Sequence, residues 1–200
     1  MILALLLACS GGPDATPPTA APSAHAPSAA HVAAPRPASF NLGRPATAEE
    51  IAAWDIDVDA SGRSLPAGSG TVAQGQALFA ERCIACHGVQ GEGGLGPKLW
   101  GANTAPDVDF STDAKIPRTI GNWWPYATTV FDYVRRAMPQ TGPGSLTDDE
   151  TYALVGFMLA KNGLFPEDGT FDKAALMRVE MPAKSRFVPD DRGPGPDGFR

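Results

Sequence analysis

Five consecutive residues, Cys83-Ile84-Ala85-Cys86-His87, hold the most specific chemistry in the chain. Two thiols three positions apart, followed at once by an imidazole, form the C-x-x-C-H attachment sequence for a c-type haem. The thiols reach the two vinyl groups of one porphyrin and form thioethers, and the imidazole is carried under the ring to bind iron. The remaining inventory agrees. Of three cysteines only Cys9 lies outside the motif, in an apolar leader, so no pair is left for a structural disulfide. Of three histidines, His25 and His31 fall in a low-complexity stretch, which leaves His87 alone in the expected folded region. A thioredoxin-like site would need a strand before the motif and a βαβ pattern, and a tetrahedral zinc site would need a fourth ligand. Neither is visible.

An iron-ligating histidine needs an acceptor for its other ring nitrogen. The glycine-rich stretch Gly88, Gly91, Gly93, Gly94 and Gly96 lets backbone pass close to a flat ligand, and the Pro97 carbonyl is the expected partner of His87 Nδ1–H. A phosphate-binding loop is the competing reading, but no Lys-Ser/Thr and no strand accompany these glycines. Opposite the histidine, four methionines are available. Met138 is the leading candidate, delivered by a loop stiffened by Pro139 and Gly142-Pro143-Gly144. Met158 is explained by core packing, and Met181 beside Pro182 or an open position are the alternatives. Met/His ligation raises the potential and suits electron transfer, whereas an open site suits a peroxidase-like enzyme or a sensor.

The elements that must position these groups read as helices. Thr71 with Gln74 forms a capping box opening a helix through Val72, Leu78 and Phe79 into the motif. Gly75 in that helix permits close approach by another. Residues 101–122 read as loop. Trp123, Trp124 and Tyr126 flank Pro125, which suits a first helical turn, and are expected to pack the ring or bond its propionates. The helix carries Val130, Phe131 and Val134, ends at Arg135-Arg136-Ala137, and stops at Met138-Pro139. Thr147 with Glu150 opens a third helix through Leu154, Val155, Phe157, Met158 and Leu159, closed by Asn162-Gly163. Upstream, Thr47 with Glu50 caps a short helix whose apolar side is Ile51, Ala52 and Trp54. Only one short apolar segment, Leu176 to Met181, stands out after Pro166.

Two hundred residues at 43% hydrophobic content support one domain with tails. Net charge is −6 without a basic patch, which argues against nucleic acid as a partner. Residues 11–39 are almost entirely Ala, Pro, Ser, Thr and Gly; such a stretch buries too little apolar surface to fold and reads as a tether. Leu6-Leu7-Ala8-Cys9 resembles a bacterial lipobox, with Cys9 as the lipidated residue. Without a basic n-region, the true start is expected upstream. Ser10 after the cysteine implies outer-membrane sorting in a cell with two membranes.

From Cys83 to Gly163 the chain resembles a class I cytochrome c domain, through the Gly75/Phe79 helix, Cys83-x-x-Cys86-His87, Gly96-Pro97-x-Leu99, Met138-Pro139 and the final capped helix. The resemblance implies an all-α class I cytochrome c fold around one covalent haem c, with Gly75 packed on an aromatic of the last helix, Tyr152 being the candidate. A narrower similarity, over roughly residues 41–190, is to the cytochrome subunit of sulfur dehydrogenase in the bacterial thiosulfate-oxidising system. It is carried by Thr119-Ile120-Gly121-Asn122-Trp123-Trp124-Pro125-Tyr126, Arg135-Arg136-Ala137-Met138-Pro139, Gly144-Ser145-Leu146-Thr147-Asp148-Asp149-Glu150 and Val179-Glu180-Met181-Pro182. That family implies a molybdenum-containing sulfite or sulfur dehydrogenase subunit as electron donor, another cytochrome or an oxidase as acceptor, and a periplasmic location. Some members carry two haem motifs; this chain has one. The expected organisation is a signal remnant at 1–8, a lipid-anchored linker at 9–40, an extension packing on the domain at 41–70, the cytochrome c domain at 71–165, and an irregular extension at 166–200.

Overall fold

The computed structural model describes residues 42–101 and 115–188. Cys9, the linker with His25 and His31, residues 102–114 of the expected loop, and the last residues of the C-terminal extension lie outside the described residues. The chain divides into two units, Met1–Pro45 and Ala46–Arg200. Of the first, residues 42–45 are described and exposed; the second carries every helix and strand among the described residues.

The order of elements is α1 (Ala48–Trp54), β1 (Ser69–Thr71), α2 (Val72–Arg82), α3 (Ile84–His87), α4 (Ile120–Trp123), α5 (Ala127–Ala137), α6 (Asp148–Lys161), β2 (Thr170–Asp172), α7 (Lys173–Arg178) and a 3-10 turn over Pro182–Arg186. Helices dominate, as expected for the all-α class. The three capping boxes form: Thr47, Thr71 and Thr147 each accept from the amide three residues on, and Glu50, Gln74 and Glu150 reach back. Each satisfies two orphan amides at a helix start.

The core is α6 against α2 and α5. Helix α6 is buried continuously from Thr151 to Ala160, so its apolar residues run all round rather than along one stripe. It meets α2 at Gly75, where an added Cβ would collide with the Ala153 main chain and lie 2.7 Å from Phe157 Cβ. The expected contact of Gly75 with Tyr152 is therefore corrected. One residue away in the helix phase, Tyr152 faces elsewhere: its ring lies 4.5 Å from Phe131, and its hydroxyl donates to Pro66 O at 2.9 Å.

Three other expectations change. Pro125 does not begin a helix; Tyr126 is the N-cap of α5, one residue further on. Ile120–Trp123, of which residues 120–122 were expected as loop, makes one helical turn, and the Thr119 amide donates to Asn122 Oδ1 at 2.7 Å. The described part of the C-terminal extension is regular rather than irregular. Strand β2 pairs antiparallel with β1, Gly70 opposite Phe171, and Phe171, Leu176, Met181 and Ala183 are buried. Burial of these residues holds the extension to the domain.

The N-terminal extension packs in part. Val58 and Leu65 are buried; Val58 N donates to Asp132 Oδ1 at 2.8 Å, and an Arg135 guanidinium nitrogen donates to Ile56 O at 2.9 Å. Helix α1 buries none of its residues, and Trp54 is 87% exposed.

Candidate functional site

The motif forms where α2 gives way to α3. Cys83 is the C-cap of α2, its amide donating to Phe79 O at 2.9 Å, and the next turn carries Cys86 and His87. Cys83 thus sits at the junction of the two helices, with Cys86 and His87 one turn further on. Both cysteines are free and half-buried. Burial pushes the Cys83 thiol up to about 11, the opposite direction from the lowered pKa of cysteines in dithiol-exchange sites.

The glycine-rich segment then folds back over the motif. Gly93 N donates to His87 O at 2.8 Å, and Gly96 N donates to Cys86 O at 2.8 Å. Gly88, Gly91 and Gly93 take positive φ, which makes the reversal possible without strain. At Gly96 the reason is contact: a Cβ there would lie 2.7 Å from His87 Cε1 and 2.9 Å from Nδ1. One residue on, Pro97 O lies 2.8 Å from His87 Nδ1. A carbonyl can only accept, so Nδ1 carries the proton and Nε2 keeps its lone pair.

Helix α5 delivers Met138. It is the C-cap residue of α5, with its amide donating to Val134 O at 3.1 Å, and its side chain is partly buried against the core. Met158 and Met181 are buried within the core, at 5% and 4% exposure, and Met177 is 46% exposed on α7. The aromatic run is half-buried. Trp124 stacks obliquely on Tyr133, Trp123 meets Phe187 edge-on, and the Arg118 guanidinium lies 4.0 Å from the Trp123 ring centroid. Lys184 Nζ stands 5.4 Å from the Tyr126 ring. The structure thus ties His87 directly to Pro97, while Trp123 and Tyr126 each meet a residue of the C-terminal segment, Phe187 and Lys184.

Two participants were not singled out from sequence. Trp100 completes a three-ring cluster with Phe79 and Phe157, at centroid distances of 5.1 and 5.6 Å. Gly91 lies directly against its indole, with a hypothetical Cβ 2.5 Å from Trp100 Cε2. Arg118 is the other. The clue to Trp100 was an aromatic just beyond a glycine run; Arg118 left no local signal.

Residues 70–158 match the family described as cytochrome c oxidase, cbb3-type, subunit III. A thiosulfate dehydrogenase from Allochromatium vinosum is 33% identical over 92 residues, covering 42% of this chain and 29% of that protein. Another from Stutzerimonas stutzeri is 29% identical over 99 residues, covering 46% and 28%. The chain thus spans under a third of the length of these two curated relatives. A chain in the crystal structure of the sulfane dehydrogenase SoxCD from Paracoccus pantotrophus superposes with a TM-score of 0.66 at 44% identity, covering 77% of this chain and 74% of that one. The protein belongs to the cytochrome c family and is related to thiosulfate and sulfane dehydrogenases. That family carries covalent haem c, and the residues present fit it: two thiols precede a histidine whose Nδ1 is engaged, and the backbone at Gly96 leaves no Cβ against the imidazole.

Proposed function

We propose that this cytochrome is a monohaem electron carrier, taking single electrons from a molybdenum-containing sulfite or sulfur dehydrogenase subunit and passing them to another cytochrome or an oxidase. In this reading Cys83 and Cys86 would hold one haem c, His87 and Met138 would bind its iron, and Trp123, Trp124 and Tyr126 would border the ring or its propionates. When bound, the haem supplies the one-electron chemistry; the chain supplies ligand geometry and an apolar surround.

The observation that carries the reading is the contact between His87 Nδ1 and Pro97 O. It fixes the tautomer, orients the ring and increases the basicity of Nε2, which is the arrangement a ligating histidine needs. The methionine assignment rests on packing: Met158 and Met181 are taken up by the core, Met177 is exposed on α7, and Met138 is half-buried at the end of α5. Methionine opposite histidine raises the reduction potential and closes the iron to small ligands.

The donor assignment is supported by the likeness to the sulfane dehydrogenase chain. An extracytoplasmic location with lipidation at Cys9, on the outer membrane where there are two, is part of the same proposal. No helix among the described residues is long and apolar enough to cross a membrane. Stopped-flow mixing of oxidised protein with the purified molybdenum enzyme and sulfite tests the partner. Haem reduction well above the enzyme-free rate is expected; equal rates reject the donor assignment and leave the cytochrome itself standing.

A further inference from the structure

Asn162 caps the last long helix, α6, and its Nδ2 donates to Met158 O at 2.7 Å, an ordinary local contact for the end of a helix. Its other contacts reach far along the chain. Oδ1 accepts from Gly121 N at 3.1 Å, at the start of α4, and Nδ2 also reaches Leu99 O at 3.3 Å. The fit at α4 is close, since a Cβ at Gly121 would lie 2.7 Å from Asn162 Oδ1. Leu99 is fastened from both sides: its amide donates to Gly91 O at 2.9 Å, and its carbonyl also accepts from Ile120 N at 3.1 Å. Two residues upstream stands Pro97, whose carbonyl faces His87 Nδ1 and which has no amide hydrogen of its own to anchor it.

We infer that Asn162 is a positioning residue for the His87 imidazole: by holding Leu99 against α4 and α6, it fixes the Pro97 carbonyl that orients the ring. This rests on the proposed role of His87 as iron ligand. A carboxamide is the side chain that fits, because it offers a donor and an acceptor on one planar group. Aspartate keeps the acceptor for Gly121 but turns an oxygen toward the Leu99 and Met158 carbonyls; alanine loses both arms. A firmly held acceptor makes the ligand more basic, which favours ferric over ferrous iron. Loosening it therefore raises the reduction potential and lets the Nδ1 proton exchange more readily with solvent.

The test compares holo-protein carrying Asn162→Ala or Asn162→Asp with Tyr152→Phe, which removes a hydrogen bond to Pro66 O elsewhere on α6. For each, the melting temperature, the reduction potential and the NMR exchange rate of the His87 Nδ1 proton in the reduced state are measured. Both Asn162 variants should exchange about tenfold faster than wild type, the factor that corresponds to losing one hydrogen bond, with a potential shifted positive. Tyr152→Phe should change neither, even where its melting temperature falls as far. The inference is overturned if the Asn162 variants keep the wild-type exchange rate and potential, or if Tyr152→Phe moves both equally. The near-isosteric aspartate keeps the test decisive should alanine prevent folding. Wild-type protein whose His87 is not on iron refutes the ligand reading and the inference together, before any variant is made.

Discussion

A single methyl group at position 75 probes the contact that seats the motif's helix on the last one. In an ordinary helix interior, Gly→Ala favours folding by about 1 kcal/mol through propensity alone. At Gly75 the new Cβ meets Ala153 C at 2.5 Å and Phe157 Cβ at 2.7 Å, well inside the ~3.5–4.0 Å optimum for carbon pairs. The Ala153 atoms are main chain in the middle of α6, so no rotamer change relieves the clash. Helix α2 must move outward by roughly 1 Å, which loosens the Phe79–Phe157 ring contact at 5.4 Å. Overpacking of this kind costs about 1–3 kcal/mol, and a rigid partner puts it at the upper end. After the propensity gain, Gly75→Ala should lose about 2 kcal/mol, or about 4–8 °C in Tm. Thermal unfolding followed by circular dichroism measures this, with Ala77→Gly on the exposed side of α2 as calibrator, expected to lose about 1 kcal/mol from propensity. A Tm for Gly75→Ala at or above wild type would refute the close crossing.

The remaining predictions concern the site and its support. Cys83→Ser with Cys86→Ser should yield protein from which acid–acetone extracts all haem, while wild type retains it; haem that survives extraction from the variant contradicts covalent attachment through these residues. Met138→Ala should turn the iron high-spin or give it an exchangeable ligand, and an unchanged low-spin optical spectrum rejects the assignment. Burial disfavours charge on Asp132, but its hydrogen bonds with Arg136 and the Val58 amide outweigh that, and its pKa lies below the ordinary value. With the folded pKa below the unfolded one, its stabilisation is complete above about pH 4 and is lost as pH falls through the folded value. Asp132→Asn should lower stability at neutral pH and flatten its decline below about pH 4; urea midpoints across pH that run parallel to wild type contradict this.

Local chemistry was the legible part of the sequence. The capping boxes at Thr47, Thr71 and Thr147 involve residues three apart, and the Cys83–His87 motif and Pro97 contact lie within fifteen positions, so spacing alone located them. Errors came where register or distance decides. Pro125 and Tyr126 compete for the start of α5 within two positions, and Tyr152 and Ala153 differ by one step of helix phase, which changes the neighbour of Gly75. The regular structure of the C-terminal extension leaves little local trace, because three-residue strands show no alternation and a six-residue helix shows little periodicity. Its order comes from burial of Phe171, Leu176, Met181 and Ala183 against distant elements. Trp54 shows the converse: its helix forms as the capping box predicts, yet its indole stays exposed, and a local signal does not say what an element packs against.

Carbon monoxide added to reduced wild-type protein tests most directly the proposal that His87 and Met138 would together hold the iron. With His87 and Met138 both bound, the visible spectrum should stay that of a low-spin ferrous c-type haem on addition of the gas. Rapid formation of a carbonyl complex by native protein would mean an open or easily displaced position, and would contradict the reading of this chain as a closed electron carrier.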